Sequence, residues 1–361
     1  MIELVEKLDV IEDTALVRIS EGRQRLARAN DIPTMLTLRD MAAAAQLFAN
    51  AQGFKEAAQE AKIFQLQAER KAGGWLEENV AHNGGDARTL SQDATALPEG
   101  IDKYESSRWQ LEAALPEEQF NEWVDKCLAY DKEISASALR GIAKNYVRQE
   151  ARAEVASSAE NVKPSDKWHI YHADMATWKA PRQYDFIITD PPYPKEYLPL
   201  YETLAERAKE WLKPGGLLIA MCGQSYLDEI YCMMSKHIEY YWTAAYLTPG
   251  QPTPMRQRNV NSTWKPLLVF SNGDYKGKIF GDVFKSDGND KDLHKWGQSE
   301  SGMYSIVSGI CLPGQSILDP FCGAGTTGKA ALKHKCFFDG VDCDEQNVNI
   351  SIGRLGSDSA A

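Results

Sequence analysis

Asp190-Pro191-Pro192-Tyr193 closes the run Tyr184-Asp-Phe-Ile-Ile-Thr189, and this junction is where the chain most plainly offers chemistry. The run is apolar and β-favouring, so it reads as a buried parallel strand that two prolines end in a rigid turn. Neither proline carries a backbone N–H, and each fixes its own φ. What stands at the tip is a set of acceptors, the Asp190 carboxylate and the carbonyls of Asp190 and Pro191, beside the ring of Tyr193. That set suits a planar group bearing an NH2, such as the exocyclic amine of adenine or cytosine. The oxygens accept its hydrogens while the ring stacks on its face. Taken alone, the four residues are equally an ordinary strand-ending turn.

A second constellation narrows the choice. Gln315-Ser-Ile-Leu-Asp319 is a short strand leading into Pro320-Phe321-Cys322-Gly323-Ala-Gly325-Thr326-Thr-Gly328-Lys329, then an alanine-rich helix to His334. Gly323 and Gly325 let the backbone turn tightly and approach a ligand, and the helix N-terminus beyond offers free N–H groups. The strand Cys336-Phe-Phe-Asp-Gly-Val341 then ends in Asp342-Cys-Asp344. An acid after the second strand of such a unit is the usual partner of ribose hydroxyls. The loop does not follow the Gly-x-x-x-x-Gly-Lys-Ser/Thr spacing, and Lys329 falls outside it, so a phosphate cradle is disfavoured.

Together these residues resemble the amino-group DNA methyltransferases that use S-adenosylmethionine. In that family the Asp-Pro-Pro-Tyr turn holds the target amine and the Asp-Pro-Phe-x-Gly-x-Gly-Thr-Thr turn holds the cofactor. The target turn comes first here, which resembles the circularly permuted β group. The segments Trp168–Asp174, Asn261–Phe270 and His294-Lys-Trp-Gly-Gln298-Ser299 are similar to further family segments, and the resemblance spans roughly residues 165 to 355. The last of these is only loosely like the commoner His-Pro-Thr-Gln-Lys-Pro form. The spacer between Phe270 and His294 is short, where the family often places a target-recognition domain.

The resemblance implies roles residue by residue. Asp190, Pro191, Pro192 and Tyr193 are the expected catalytic residues. The amine hydrogens go to Asp190 and the Pro191 carbonyl, favouring a pyramidal nitrogen by preorganised electrostatics rather than covalent catalysis. The base must leave the duplex to reach them. Asp319, Phe321, Gly323, Gly325 and Thr326 are expected around the methionine part of S-adenosylmethionine, with His294 and Gln298 contributing. Asp342 is expected on the ribose and Asp174 on the adenine amine, although a strand-ending Asp is often only a cap. The expected activity is transfer to the N6 of adenine in DNA, since Asp in the first position of the tetrapeptide leans that way. Cytosine-N4 transfer is the alternative. An RNA-modifying relative and a DNA-binding regulator with a vestigial methyltransferase fold are the competing readings.

Bulk properties bound the rest. The 361 residues leave room for two domains, and a formal charge of -11 requires any DNA contact to use a local basic surface. Seven cysteines without a C-x-x-C pair point to a reducing cytoplasm rather than a disulfide scaffold or metal site. Cys322 lies in the glycine turn with no histidine close in sequence, which weighs against a nucleophile. No apolar run is long enough for a membrane span, and the N-terminus is no secretory signal.

The elements that must position these residues divide the chain. Residues 1–150 are expected to form an all-α domain, phage-like by resemblance, 151–166 a linker, and 167–356 an α/β catalytic domain. That domain is expected to hold a Rossmann-like, seven-stranded sheet: Trp168–Tyr171, Tyr184–Thr189, Leu217–Cys222, Tyr240–Leu247, Trp264–Phe270, Gln315–Leu318 and Cys336–Val341. The two turns should leave adjacent strands at the carboxyl edge. Within the first part, Met35–Leu76 reads as helix, with Leu47, Ala51, Phe54, Ala58, Ala61 and Ala68 at helical spacing. That face suits a helical hairpin within one chain or, alternatively, a homodimer through these helices. Gly73-Gly74 reads as a helix end and His82–Gly85 as a loop. Residues 89–120 resemble a helix-turn-helix, whose second helix would bring Ser106, Ser107, Arg108 and Gln110 to DNA. The alternative is an ordinary helical core holding Trp109, Leu111 and Phe120. Arg256 and Arg258, in a loop between two strands, are candidate DNA contacts at the carboxyl edge, or incidental surface charge. With no large recognition insert, sequence selectivity is expected from the N-terminal domain or a second subunit.

Overall fold

The computed structural model describes residues 2–80, 97–247, 252–256, 258–287 and 299–358, in two compact units that divide at Ala151 and Arg152. The first is all helical: α1 (Ile2–Arg28), α2 (Ile32–Gln52), α3 (Lys55–Asn79), α4 (Lys103–Ala113), α5 (Glu117–Ala129) and α6 (Ala136–Ser158). Asp31 caps α2 by accepting from the Thr34 amide at 2.9 Å, and Pro33 sits in the first turn, where its missing N–H costs nothing. The single helix expected over Met35–Leu76 is two. Gly53 adopts φ 78°, and its amide donates back to Ala49 and Asn50, ending α2 before Phe54 opens the next helix. Phe54, Ala58, Ala61 and Ala68 are buried as the spacing implied, whereas Leu47 is 72% exposed. α2 and α3 pack on one another within the chain.

Gly73-Gly74 is not a helix end, because α3 runs on to Asn79. The reason lies in packing: a Cβ on Gly73 would stand 2.0 Å from the Trp109 carbonyl oxygen, so the residue is small to let α4 approach. Gly74 faces open space. α4 begins with a capping box between Asp102 and Glu105 and buries Ser106, Trp109 and Glu112. Ser106 is therefore removed from the set able to reach DNA, while Ser107 and Arg108 remain exposed. Trp109 and Phe120 are core and Leu111 is partly buried. The loop expected at His82–Gly85 and most of the first helix of the suggested helix-turn-helix lie outside the described residues.

Glu112 is an unusual core residue. It is fully buried and accepts from the Arg140 guanidinium at 2.8 Å, while Arg70 donates to its backbone carbonyl at 2.6 Å. Burial, and then the nearby Glu69 charge, push its carboxyl up to about 7, against an ordinary 4.5. The fold thus prefers Glu112 protonated.

The second unit begins within the last turns of α6. The linker expected at 151–166 is helix as far as Ser158, followed by a 3-10 turn over Ala159–Asn161, so only the residues after it are extended. Residues 151–158 hold three alanines with one arginine and one glutamate, all good helix formers, which is why a composition with little apolar content misled. There follow β1 (Trp168–His172), β2 (Tyr184–Thr189), α7 (Leu198–Trp211), β3 (Leu212–Met221), α8 (Leu227–Met234), β4 (Glu239–Leu247), β5 (Thr253–Met255), β6 (Val260–Ser262), β7 (Trp264–Ser271), β8 (Val283–Lys285), α9 (Glu300–Ile310), β9 (Ser316–Asp319), α10 (Thr326–Lys333), β10 (Phe337–Asp342) and α11 (Glu345–Asp358).

The main sheet has the order β1-β10-β9-β2-β3-β7-β4-β8. All seven expected strands are present; the eighth, β8, is a three-residue edge strand parallel to the end of β4 and too short to carry a period. β7 alone runs antiparallel to its neighbours β3 and β4. One face of the sheet packs Phe186, Leu217, Val269 and Phe338 against α9, α10 and α11, and the other packs Ile187, Leu218 and Phe270 against α7 and α8. This is the doubly covered α/β arrangement that near-continuous apolar strands require. Among the described residues no helix is long and apolar enough to cross a membrane.

The helical unit can be probed at two points. Gly73→Ala should destabilise it by about 1–3 kcal/mol through overpacking against Trp109, whereas Gly74→Ala should be neutral or stabilising by up to about 1 kcal/mol, as denaturant melts would register. Because the folded pKa of Glu112 is raised, its contribution is full below about 4.5 and is lost as pH rises through about 7. Amide protection in α4 should accordingly fall as pH rises through that window, and Glu112→Gln should flatten the dependence.

Candidate active site

β2 and β9 are adjacent and parallel, with Ile187 opposite Leu318, so the turns after Thr189 and after Asp319 leave the same edge side by side. Parallel neighbours bring residues far apart in sequence to one crevice at the carboxyl ends of the strands. β10 lies on the other side of β9, with Gly340 opposite Asp319, so its terminal Asp342 joins the same edge. The antiparallel β7 points its start toward that edge, which adds Trp264 and Lys265.

Asp319 ties these ends together. It is fully buried, and its two carboxylate oxygens accept from the Thr189 hydroxyl at 2.7 Å and the Thr327 hydroxyl at 2.6 Å, with the Phe321 amide at 3.1 Å. Burial pushes its pKa up to about 6 against these hydrogen bonds, and the nearby Asp190 charge adds to the rise. Expected beside a cofactor, Asp319 instead spends its oxygens inside the protein. It fixes the turns rather than facing the space between them.

Gly323 and Gly325 adopt φ 50° and 76°, in the left-handed region that side chains avoid. Nothing stands within 4 Å of where a Cβ on Gly323 would be, so this backbone borders open space. The Gly323 amide donates to Asp342 at 2.9 Å, and the other Asp342 oxygen accepts from the Asp344 amide and Asn347. Ser351 on α11 donates to the Gly323 carbonyl at 2.7 Å, and Arg354 donates to the Ala324 carbonyl while pairing with Glu300 at 2.8 Å. Phe321 and Thr326 are partly buried beside this turn. Cys322 is buried with its thiol raised well above the ordinary value by burial and the Asp319 charge, which leaves no thiolate to attack. Asp174 is exposed after β1 and accepts from the Ala176 amide at 2.9 Å, a cap of the following turn. His294 and Gln298 lie outside the described residues.

At the other turn the Tyr193 hydroxyl donates to Asp190. Burial and then the Asp190 charge hold the Tyr193 hydroxyl well above its ordinary pKa, so it stays a donor. The Lys265 ammonium donates to the Tyr193 oxygen at 3.1 Å and lies 4.9 Å from the ring centroid. Tyr201 supports the turn from below, its hydroxyl 3.3 Å from the Met221 carbonyl and 3.5 Å from that of Pro191. Cys222, beneath, is pushed up to about 12 by burial and the Asp190 charge. Pro191 is buried and Pro192 partly so.

Arg256 and Arg258 lie on a hairpin, β5 paired with β6, that leaves the end of β4 and returns to the start of β7 at this same edge. Arg256 is exposed; the Arg258 guanidinium donates to the Ser225 carbonyl at 3.3 Å, and Gln224 donates to the Trp264 carbonyl at 2.9 Å. Arg108 and Ser107 belong to the helical unit and are described there alone. A groove of about 880 Å³ lined by Trp168, Tyr304, Lys333 and Phe337 opens at the amino ends of β1 and β10, away from both turns. Among the described residues no cluster of His, Cys, Asp and Glu could hold a metal.

Sequence reasoning missed Lys265, Thr189, Thr327, Ser351 and Arg354. Lys265 sits in a stretch legible only as strand, and nothing in its spacing tells that an antiparallel partner brings it to Tyr193. Thr189 and Thr327 flank the two motifs, and a pairing with Asp319 requires knowing that the strands are neighbours.

Residues 274–353 match the family model described as DNA methylase, and residues 112–242 match the model of an RMKL-like methyltransferase domain. No curated protein matches the chain. Among solved structures, the M1.HpyAVI–SAM complex is 23% identical, covering 52% of this chain and 98% of its own, with a TM-score of 0.43. The cytosine-N4-specific PvuII DNA methyltransferase is 14% identical over 53% of this chain and 87% of its own, with a TM-score of 0.45. A putative DNA modification methylase of Thermus thermophilus, TTHA0409, complexed with S-adenosyl-L-methionine, is 15% identical over 53% and 95%, with a TM-score of 0.42.

Removing the Asp319 clamp leaves two buried hydroxyls without their acceptor. Asp319→Ala should therefore lower stability by about 1–3 kcal/mol, and Thr327→Val by less, as measured by chemical denaturation of the second unit.

Proposed function

We propose that this chain is a DNA methylase of the N6/N4 amino-methyltransferase family and transfers a methyl group from S-adenosylmethionine to the exocyclic N6 of adenine in DNA. The observation that carries the proposal is the adjacency of an acceptor-and-ring turn, Asp190 to Tyr193, and an open glycine turn backed by an acid, Gly323 to Gly325 with Asp342, on neighbouring parallel strands. The residues fit the cofactor: the Gly323 backbone borders free space, and Asp342 accepts three hydrogen bonds and retains capacity for a hydroxyl. Phe321, Gly323, Gly325 and Thr326 would flank the methionine part, Asp342 would hold the ribose, and Asp174 the adenine end.

Bound there, the sulfonium supplies an electrophilic methyl group. The protein's own part is to place an amine in line with it and to stabilise the nitrogen as its lone pair leaves the ring. Asp190 and the Pro191 carbonyl accept the two N–H hydrogens, drawing the nitrogen toward the pyramidal geometry of the transition state. Tyr193 stacks on the base, which must be flipped out of the duplex because its amine is unreachable within it. Tyr201 lies behind the turn, its single hydroxyl proton within reach of the Met221 and Pro191 carbonyls at 3.3 and 3.5 Å. The proton leaves after transfer, so Asp190 acts by position and charge and need not be a strong base.

DNA contact is assigned to the edge hairpin carrying Arg256 and Arg258, which suits a phosphate backbone beside the flipped base. Arg108 and Ser107 on α4 are exposed candidates for a further contact. Asp in the first position of the tetrapeptide favours adenine by family resemblance; cytosine-N4 transfer is the chemical neighbour.

Incubation with S-adenosylmethionine and unmodified DNA, followed by nucleoside analysis, should yield N6-methyladenine. N4-methylcytosine alone would overturn the base assignment, and no methylated nucleoside would overturn the reaction. Asp190→Ala should reduce product at least about 100-fold, with cofactor binding retained.

A further inference from the structure

We propose that Lys265 is a positioning residue for Tyr193, holding the ring and its hydroxyl in the orientation that receives the target base. The inference rests on the functional reading above for its consequence but on geometry for its basis. Lys265 is half-buried at the start of β7, on the strand whose antiparallel pairing to β3 turns it toward the carboxyl edge. Its ammonium donates to the Tyr193 oxygen at 3.1 Å and lies 4.9 Å from the ring centroid, close enough for attraction to the ring as well. The same hydroxyl donates to Asp190. Lys265, Tyr193 and Asp190 therefore form a chain of donors and acceptors with a cation at one end and an anion at the other.

The arrangement answers a physical difficulty at this turn. A tyrosine that stacks on a base has two soft torsions, and a Cβ on Gly223 would lie 3.6 Å from the Tyr193 Cβ, so the ring's inner end meets only backbone there. A hydrogen bond from a lysine on a sheet strand pins the outer end. A donor without acceptor capacity fixes the direction of the chain: the Tyr193 oxygen accepts from Lys265, and its own proton goes to Asp190. The ammonium also offsets the carboxylate charge of Asp190 through the shared hydroxyl. If an entering amine competes with the hydroxyl for Asp190, Lys265 still keeps the Tyr193 oxygen bonded and the ring in place.

Lys265 acts through the hydroxyl, and this makes the proposal testable beyond loss of activity. In the free protein, the ring Cζ resonance of Tyr193, assigned by its loss in Tyr193→Phe under carbon-13 tyrosine labelling, should shift in Lys265→Met. In turnover with DNA, Lys265→Met should lower kcat about 10- to 100-fold with the KM for S-adenosylmethionine unchanged, and Lys265→Arg should recover part of the rate. In a Tyr193→Phe background, Lys265→Met should cost less than about 2-fold, because the two side chains work through one contact. An unmoved Cζ resonance, or effects that multiply in the double variant, would overturn the assignment. A wild-type protein that methylates no DNA would overturn the functional reading instead, while the resonance experiment would still decide the role of Lys265. A melting temperature unchanged in Lys265→Met separates positioning from folding.

Discussion

Asp319 places a carboxylate in a fully buried position at the seam of β2 and β9, where it accepts from a threonine on each side and from the amide that starts the glycine turn. Both turns of the site inherit their positions from this one group. Thr189 immediately precedes Asp190, and Thr327 lies in the first turn of α10, just after Gly325. A shift of the carboxylate would therefore move the acceptor turn and the open glycine turn relative to one another. Its pKa of about 6 expresses the cost of holding such a charge without water; three donors offset burial, and the Asp190 charge opposes them. A buried acid with all its neighbours bonded is a precise spacer, and on the proposed function precision is what in-line transfer requires.

The second unit also resolves an electrostatic tension. The chain carries a formal charge of -11, and the edge proposed to meet DNA contains Asp190, Asp342 and Asp344. The cations at that edge are specifically seated. Lys265 donates to Tyr193, Arg354 to the Ala324 carbonyl and Glu300, and Arg258 gives one N–H to the Ser225 carbonyl while staying exposed. Arg256 is exposed at the tip of the hairpin. A formal charge of -11 discourages indiscriminate association with nucleic acid.

Much of the second unit was legible because buried parallel strands write themselves as apolar runs ended by Gly, Pro and Asp. Tyr184–Thr189 and Phe337–Asp342 fall within a residue or so of their expected limits. The adjacency of the two turns was also legible, since strand–turn–helix units fix where ligand-facing loops emerge. What escaped were features decided by tertiary neighbours. Gly73-Gly74 carries the local signature of a helix end, yet Gly73 exists to admit the Trp109 backbone. Residues 151–158 have linker-like composition and helix-forming propensity at once, and helix won. Asp319 sits in a cofactor motif but faces inward, because a strand's last residue can point to either side and only pairing decides which. Lys265 belongs to no motif at all.

On the proposed function, the bond between Tyr193 and Asp190 bears on which base is chosen. In the free protein the carboxylate already accepts from a hydroxyl that burial keeps protonated. A carboxylate offers about four lone-pair sites, so accepting that hydroxyl does not exclude a further donor. On the proposed function, adenine and cytosine present an N–H donor to the carboxylate. Thymine presents a carbonyl, an acceptor that the carboxylate repels. Sites built to hydrogen-bond a donor reject analogues lacking it by about 10⁴-fold or more for this reason. On the proposed function, selection for the amine thus follows from a carboxylate that can only accept. Adenine and cytosine offer the same donor, so selection between them also draws on the size and edge of the ring, and so on what stands around Tyr193 in addition to the tetrapeptide.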